Sequence, residues 1–151
     1  MMLVESERIR ATTRTMSPDA PSNVILVDDS KLVQSFVSSA LEQQGIKVHV
    51  SDDIWIAGLI ARTRPELVLM DVCIGKANID GTMAVKALKA HKVSKGTKIV
   101  LFSDRPVAEL ENLAATCGAD GYICKTNDAG RLVAEVRRFI RMVEPHQMAQ
   151  G

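Results

Sequence analysis

The sequence lacks the features that mark membrane, disulfide-rich and nucleotide-binding proteins. Its longest apolar run, residues 54–61, is far short of the roughly 20 residues that a helix needs to span a bilayer. The three cysteines are odd in number and have no CxxC spacing, so we expect reduced thiols. Glycine-rich phosphate-binding motifs are absent, and the three histidines have no metal-ligand spacing.

Net charge, the amino-terminal sequence and length restrict the possible partners, location and domain number of the protein. A net charge of +1 gives no bulk reason to expect nucleic acid or an acidic membrane as partner. The amino terminus lacks the apolar core of a secretory signal, so we expect a cytoplasmic protein. With 151 residues, 46% of them hydrophobic, the chain fits a single domain. We predict a flexible arm at residues 1–22, the domain at 23–143 and a tail at 144–151.

Four strand-like apolar runs each end abruptly in a polar side chain. They are residues 24–27 before Asp28 and Asp29, residues 67–70 before Asp71, residues 99–102 before Ser103, and residues 122–124 before Lys125. Continuous apolar runs are typical of parallel strands that helices cover on both faces. The carboxyl ends of such strands share one edge, where ligands bind. Taken singly, the acid pair is also typical of a helix cap and Asp71 of a loop cap.

The remaining pattern alternates strands with helices five times. The first predicted helix runs from the first strand to Gly45, the second opens at Ser51–Asp53 and ends near Arg64, and the third runs from Gly81 to about Lys92. The fourth runs from Pro106 to about Thr116, and the fifth ends near Val143. A second strand is predicted at residues 46–50. This alternation predicts an α/β fold with a doubly wound, five-stranded parallel sheet and five helices, in the flavodoxin-like order 2-1-3-4-5.

The same segments resemble the receiver domain of two-component response regulators, over roughly residues 22–143. The resemblance is carried by ILVDDS at 25–30, LVLMD at 67–71, Asp80-Gly81, IVLFS at 99–103 and GADGYICK at 118–125. It implies that Asp71 accepts a phosphoryl group from a histidine kinase or a phosphotransfer protein. The converging carboxylates would repel one another, which a divalent cation relieves. The implied Mg²⁺ ligands are Asp28, Asp29, Asp71 and the backbone carbonyl of Cys73.

The resemblance also assigns the response to phosphorylation. Lys125 and Ser103 would bind the phosphoryl oxygens, and Tyr122 matches the family's switch aromatic, although an aromatic packed on an edge strand is the plainer interpretation. We expect the fourth helix, fifth strand and fifth helix to form the output surface, for a downstream protein or a homodimer. The last helix carries four arginines there, Arg131, Arg137, Arg138 and Arg141, which a solvated helix face would also explain.

We further expect a stand-alone receiver with no DNA-binding domain, because only eight residues follow Val143. We also expect that it is not an enzyme and makes no membrane contact. Three departures from the family pattern are Thr126 in place of proline, Asp104 in place of a small residue, and a longer loop after Asp71. Asp104 leaves open a pseudo-receiver that acts as a phosphorylation-independent interaction module. Residues 78–82 also resemble a haloacid dehalogenase-type phosphatase motif, but Asn78 stands where the nucleophile should be.

Overall fold

The computed structural model describes residues 22–74 and 79–141. The first strand begins at Ser22, the last residue of the predicted arm. The rest of that arm and the predicted tail lie outside the described residues. The three domain boundaries therefore stay predictions.

Five parallel strands form the main sheet and confirm the predicted order. They are β1 (Ser22–Val27), β2 (Ile46–Ser51), β3 (Leu67–Asp71), β6 (Ile99–Ser103) and β7 (Gly121–Cys124), arranged as β2-β1-β3-β6-β7. β6 and β7 are thus the predicted fourth and fifth strands. Every residue of β3 and β6 is buried, which is why both read as unbroken apolar runs.

Five helices cover the two faces of this sheet. They are α1 (Lys31–Glu42), α2 (Ala57–Thr63), α3 (Gly81–Ala90), α4 (Val107–Cys117) and α5 (Ala129–Arg141). α1 and α5 enclose one core, which contains Leu41, Phe102 and Val136. α2, α3 and α4 enclose the other, which contains Met70 and Leu110. The sheet therefore buries both faces and leaves its carboxyl edge for polar groups.

The second helix begins later than predicted. Ser51 Oγ donates to the Asp53 carbonyl at 2.8 Å and accepts from the Asp53 amide at 3.1 Å, and Asp53 Oδ1 accepts from the Trp55 amide at 3.0 Å. These local bonds satisfy the backbone in a turn, which competes with helix formation. The helix therefore starts at Ala57, not at Ser51–Asp53. Its end matches the prediction, because Arg64 turns into the left-handed region at φ 48° before Pro65.

The predicted loop after Asp71 contains a short antiparallel hairpin. β4 (Cys73–Ile74) pairs with β5 (Ile79–Asp80). Asp80 then caps α3 by accepting from the Thr82 amide at 2.8 Å, and the Gly81 amide donates to the Val72 carbonyl at 2.7 Å. The hairpin thus ties the start of α3 to the segment that follows Asp71. Among the described residues, no helix has the length and apolar character needed to cross a membrane.

Candidate functional site

The carboxyl edge of the sheet brings the predicted polar groups together. One ligand oxygen from each of Asp28, Asp29 and Asp71 lies within 4.8 Å of the others. Lys125, directly after β7, places Nζ 2.8 Å from Asp28 Oδ2 and 3.5 Å from Asp71 Oδ1. Residues from three separate segments of the chain thus form a pocket of three carboxylates and one ammonium.

Asp28 is held in place through both its side chain and its backbone. Its side chain is fully buried, and Oδ1 accepts from the Ser30 amide at 2.9 Å. Its backbone amide donates to the Ser51 carbonyl at 3.0 Å, and its carbonyl accepts from Gln34 Nε2 at 2.6 Å. Oδ2 is buried and lies 2.8 Å from the Lys125 ammonium, which is the charge partner of this carboxylate. A buried carboxylate oxygen is suited to such a cation.

Asp71 ends β3 and is almost fully buried. Its Oδ1 accepts weakly from the Cys73 amide at 3.4 Å. Burial raises the pKa of Asp71, and the nearby Asp28 charge adds to this, while Lys125 works in the opposite direction. Burial alone would lower the pKa of Lys125, but Asp28 and Asp71 outweigh it and the net shift is upward. Lys125 is therefore charged, and three carboxyl groups share its single positive charge.

This cluster fits a hard divalent cation by its own chemistry. Carboxylate oxygens are the ligands that Mg²⁺ prefers, and it commonly binds through one or two carboxylates with waters completing the shell. Three carboxyl groups face a single ammonium here, and a divalent ion would supply further positive charge. The residues present therefore fit Mg²⁺.

Ser103 and Tyr122 lie on neighbouring strands beside the cluster. Ser103 is buried at the end of β6, its Oγ accepts from the Arg105 amide at 3.1 Å, and its carbonyl accepts from the Lys125 amide at 2.8 Å. Tyr122 is only partly buried, and its hydroxyl donates to Glu111 Oε1 of α4 at 3.1 Å. The structure thus connects Ser103 to Lys125 through the backbone, and Tyr122 to α4 through its side chain.

The four arginines of α5 do not share one surface. Arg131 and Arg138 line a groove with Tyr122 of β7 and Val107 of α4. Arg137 instead donates to the carbonyl and side-chain oxygens of Gln44, beyond the end of α1, at 3.3 and 3.4 Å. The prediction that placed Arg137 on the output surface is therefore wrong in this respect, since helical periodicity turns it toward α1.

Three further residues were not singled out by sequence reasoning as parts of the site. Gln34 lies six residues beyond Asp28 and faces it from α1. Phe102 precedes Ser103, and its ring lies under the Lys125 ammonium, with 5.6 Å from Nζ to the ring centroid. Gly81 lies so close to Asp71 that a Cβ there would clash with the Asp71 carbonyl oxygen. Spacing along α1 could have indicated Gln34, whereas the other two depend on tertiary contacts.

The departures from the family pattern leave the pocket intact. None of the described peptide bonds is cis, so Thr126 follows Lys125 through a trans bond. Asp104 is exposed and lies outside the buried cluster. The longer loop pairs its ends as the hairpin β4–β5. The three cysteines are not joined by disulfides, as expected.

Comparison with known proteins agrees with this geometry. The family model described as the response regulator receiver domain matches residues 24–137. The chain belongs to this family. Receiver domains act in phosphorylation-based two-component signalling, interact with histidine kinases or phosphotransfer proteins, and bind Mg²⁺ at an acidic pocket. The acidic cluster Asp28, Asp29 and Asp71 is a pocket of this kind.

Individual relatives define how far the similarity reaches. The chain is 30% identical to the transcriptional regulatory protein CpxR of Escherichia coli over 121 residues, which is 80% of this chain and 50% of CpxR. A response regulator from Chloroflexus aurantiacus has a TM-score of 0.72 at 22% identity, covering 82% of this chain and all of that one.

The receiver domain of a Pseudomonas aeruginosa sensor histidine kinase, solved with a magnesium ion in its active-site cleft, has a TM-score of 0.69 at 21% identity. The alignment covers 82% of this chain and 100% of that one. At these identities the two solved structures establish the fold alone. The chain spans about half the length of the curated relatives it matches, or less.

Proposed function

We propose that this receiver is switched by Mg²⁺-dependent phosphoryl transfer from a histidine kinase or phosphotransfer protein to Asp71. The observation that carries the proposal is the placement of the Lys125 ammonium, 2.8 Å from Asp28 and 3.5 Å from Asp71. A cation held there is suited to attract an incoming phosphoryl group and to neutralise it afterwards.

Asp71 is the nucleophile in this proposal. Its described contacts, with Lys125 and with the Cys73 amide, are made by Oδ1, so Oδ2 attacks phosphorus. The new bond joins Oδ2 to phosphorus, and the bond from phosphorus to the donor's imidazole nitrogen breaks, with the electron pair leaving on nitrogen. Burial and the neighbouring Asp28 raise the pKa of Asp71, and the Lys125 ammonium opposes that shift.

Asp28, Asp29, Asp71 and the Cys73 carbonyl would hold the magnesium ion. When bound, Mg²⁺ supplies positive charge to the carboxylates and to the phosphoryl oxygens. The chain's own part is to fix the ligands, and the bonds from Ser30 and Gln34 to Asp28 do this before any ion arrives.

Ser103 and Tyr122 would transmit the change. Phosphorylation adds roughly −1.5 to −2 charges and three acceptor oxygens. Ser103 Oγ would turn from the Arg105 amide to donate to one of these oxygens. Movement of this strand end would favour inward rotation of Tyr122, which requires breaking its bond to Glu111. The groove containing Tyr122, Arg131 and Arg138 is then the output surface for a protein partner or a second copy.

The phosphodonor would approach over the apolar groove on the other side of Lys125. Leu32, Val33 and Phe36 of α1 line this groove with Phe102 and Lys125. Leu32 is 81% exposed, so a large apolar side chain faces solvent beside the pocket. An incoming helix could cover it while presenting a histidine to Asp71.

Labelling with a small phosphodonor and Mg²⁺ tests the proposal. We expect one phosphoryl group by intact-protein mass spectrometry, none in Asp71→Asn or with EDTA, and normal labelling in the matched control Asp52→Asn, which changes an exposed acid outside the cluster. Persistent absence of labelling in the wild type, even with a cognate kinase, would favour the pseudo-receiver alternative.

Two variants test the output surface separately. Arg131→Glu/Arg138→Glu alters the groove, whereas Arg137→Glu changes an arginine of the same helix that contacts Gln44. We expect normal phosphorylation in both and lost partner binding or dimerisation only in the first. Equal binding by the double variant and the wild type would place the output elsewhere. The stand-alone organisation of the protein stays a prediction.

A further inference from the structure

Lys125 has a third neighbour that the proposed function does not use. Besides the two carboxylates, its ammonium lies over the ring of Phe102, 5.6 Å from the centroid. The face of an aromatic ring is electrostatically negative, and cations within about 6 Å of its centroid are attracted. The contact thus attracts the ammonium without a hydrogen-bond acceptor.

Phe102 is fixed much more firmly than Lys125. The ring is 2% exposed and belongs to the core under α1 and α5. Its backbone pairs with Asp71 on one side and Ile123 on the other. The Lys125 side chain is 22% exposed and follows the last strand. In this pair the ring is the fixed support, and the ammonium is the part that can move.

The ring attracts the Lys125 ammonium in a different way from the carboxylates. The ion pair with Asp28 at 2.8 Å competes with a phosphoryl group for the same ammonium protons. An aromatic face is not a strong hydrogen-bond acceptor, so it does not compete with the phosphoryl oxygens for the ammonium protons. It can therefore attract the ammonium throughout the exchange from carboxylate to phosphoryl oxygen.

We propose that Phe102 is a positioning residue for Lys125, whose ring holds the ammonium where the phosphoryl group binds, so that phosphoryl affinity depends on the electron density of that ring. The proposal rests on the proposed role of Lys125 as a phosphoryl ligand. Phe102 itself touches neither phosphate nor metal. Its effect is exerted through the lysine alone.

Stepwise fluorination of the ring tests this with little change of shape. The full chain would carry 4-fluoro-, 3,5-difluoro- and 3,4,5-trifluorophenylalanine at position 102, and binding of beryllofluoride with Mg²⁺, as phosphoryl analogue, would be measured by NMR titration. We expect affinity to fall stepwise, by about two- to fivefold overall, because fluorine withdraws the charge that attracts the cation. The same series at Phe139, a buried ring of the same core whose cation contact is with Arg138, is the matched control and should leave affinity unchanged.

A second measurement separates this inference from the proposed function. The pKa of Lys125 in the metal-free protein, followed by NMR of labelled lysine, should fall along the Phe102 series and stay constant along the Phe139 series. If the wild type binds no beryllofluoride but the pKa falls, the proposed function fails and the cation–ring contact stands. A flat pKa and flat affinity along the Phe102 series, with intact folding, would overturn the inference.

Discussion

Replacing Gly81 by alanine should displace the backbone of Asp71 and so disturb the pocket. Gly81 is the first residue of α3, and a Cβ there would clash with the Asp71 carbonyl oxygen and lie 2.9 Å from its carbonyl carbon. Relieving this contact requires backbone movement on the order of 1 Å, and a misplacement of that size in a reacting geometry costs about 100-fold in rate. Overpacking of this kind costs about 1–3 kcal/mol of stability.

The assay combines labelling with a small phosphodonor and urea unfolding. Gly58→Ala is the matched control, because Gly58 is an exposed helical glycine where an added Cβ would meet no neighbour within 4 Å. That change should leave labelling unaltered and stabilise α2 by about 0.5–1 kcal/mol, since alanine is the better helix former. If Gly81→Ala labels at the wild-type rate, close packing of α3 on Asp71 does not set the position of the nucleophile.

The other predictions concern charge and docking. Lys125→Met should lower the free energy of unfolding in urea by about 3 kcal/mol, because it leaves the buried Asp28 carboxylate unpaired. Added Mg²⁺ should restore part of this free energy. An unchanged free energy of unfolding would refute the stabilising role of the ion pair. Because the pKa of Asp71 is raised in the folded state, the metal-free wild type should gain stability as the pH falls through that pKa toward the ordinary value of 3.8. Asp71→Asn should lack this gain in urea unfolding with EDTA. Leu32→Ala should slow labelling by a protein donor without slowing a small donor, whereas Val93→Ala, another exposed apolar residue, should change neither; equal slowing with both donors would point to the pocket itself.

Much of the fold could be predicted because strand and helix signals in this chain are local. Buried runs such as Leu67–Asp71 carry their own hydrophobic signature, and parallel pairing follows from the alternation with helices. The start of α2 could not be predicted in this way. Ser51 and Asp53 are residue types that cap helices and also close turns, and the same side-chain bonds serve either outcome.

The site divides along the same line. Asp28, Asp71, Ser103 and Lys125 come together because each directly follows or ends a strand, and strand ends are readable from sequence. Arg137 was misplaced because a charge count along α5 ignores which way each side chain turns. Gly81 and Phe102 act through contacts with residues at least ten positions away in the chain, which no periodicity encodes.

The bond between Lys125 and Asp28 has a mechanical meaning as well as an electrostatic one. These residues follow β7 and β1, which are not neighbours, because β3 and β6 lie between them. The ion pair thus connects the two sides of the carboxyl edge across the ends of β3 and β6. A phosphoryl group on Asp71 would enter at the middle of this span, so Lys125 would need only a short swing. Larger displacements should then be confined to the side of the sheet where Ser103 is tied to Arg105 and Tyr122 to Glu111.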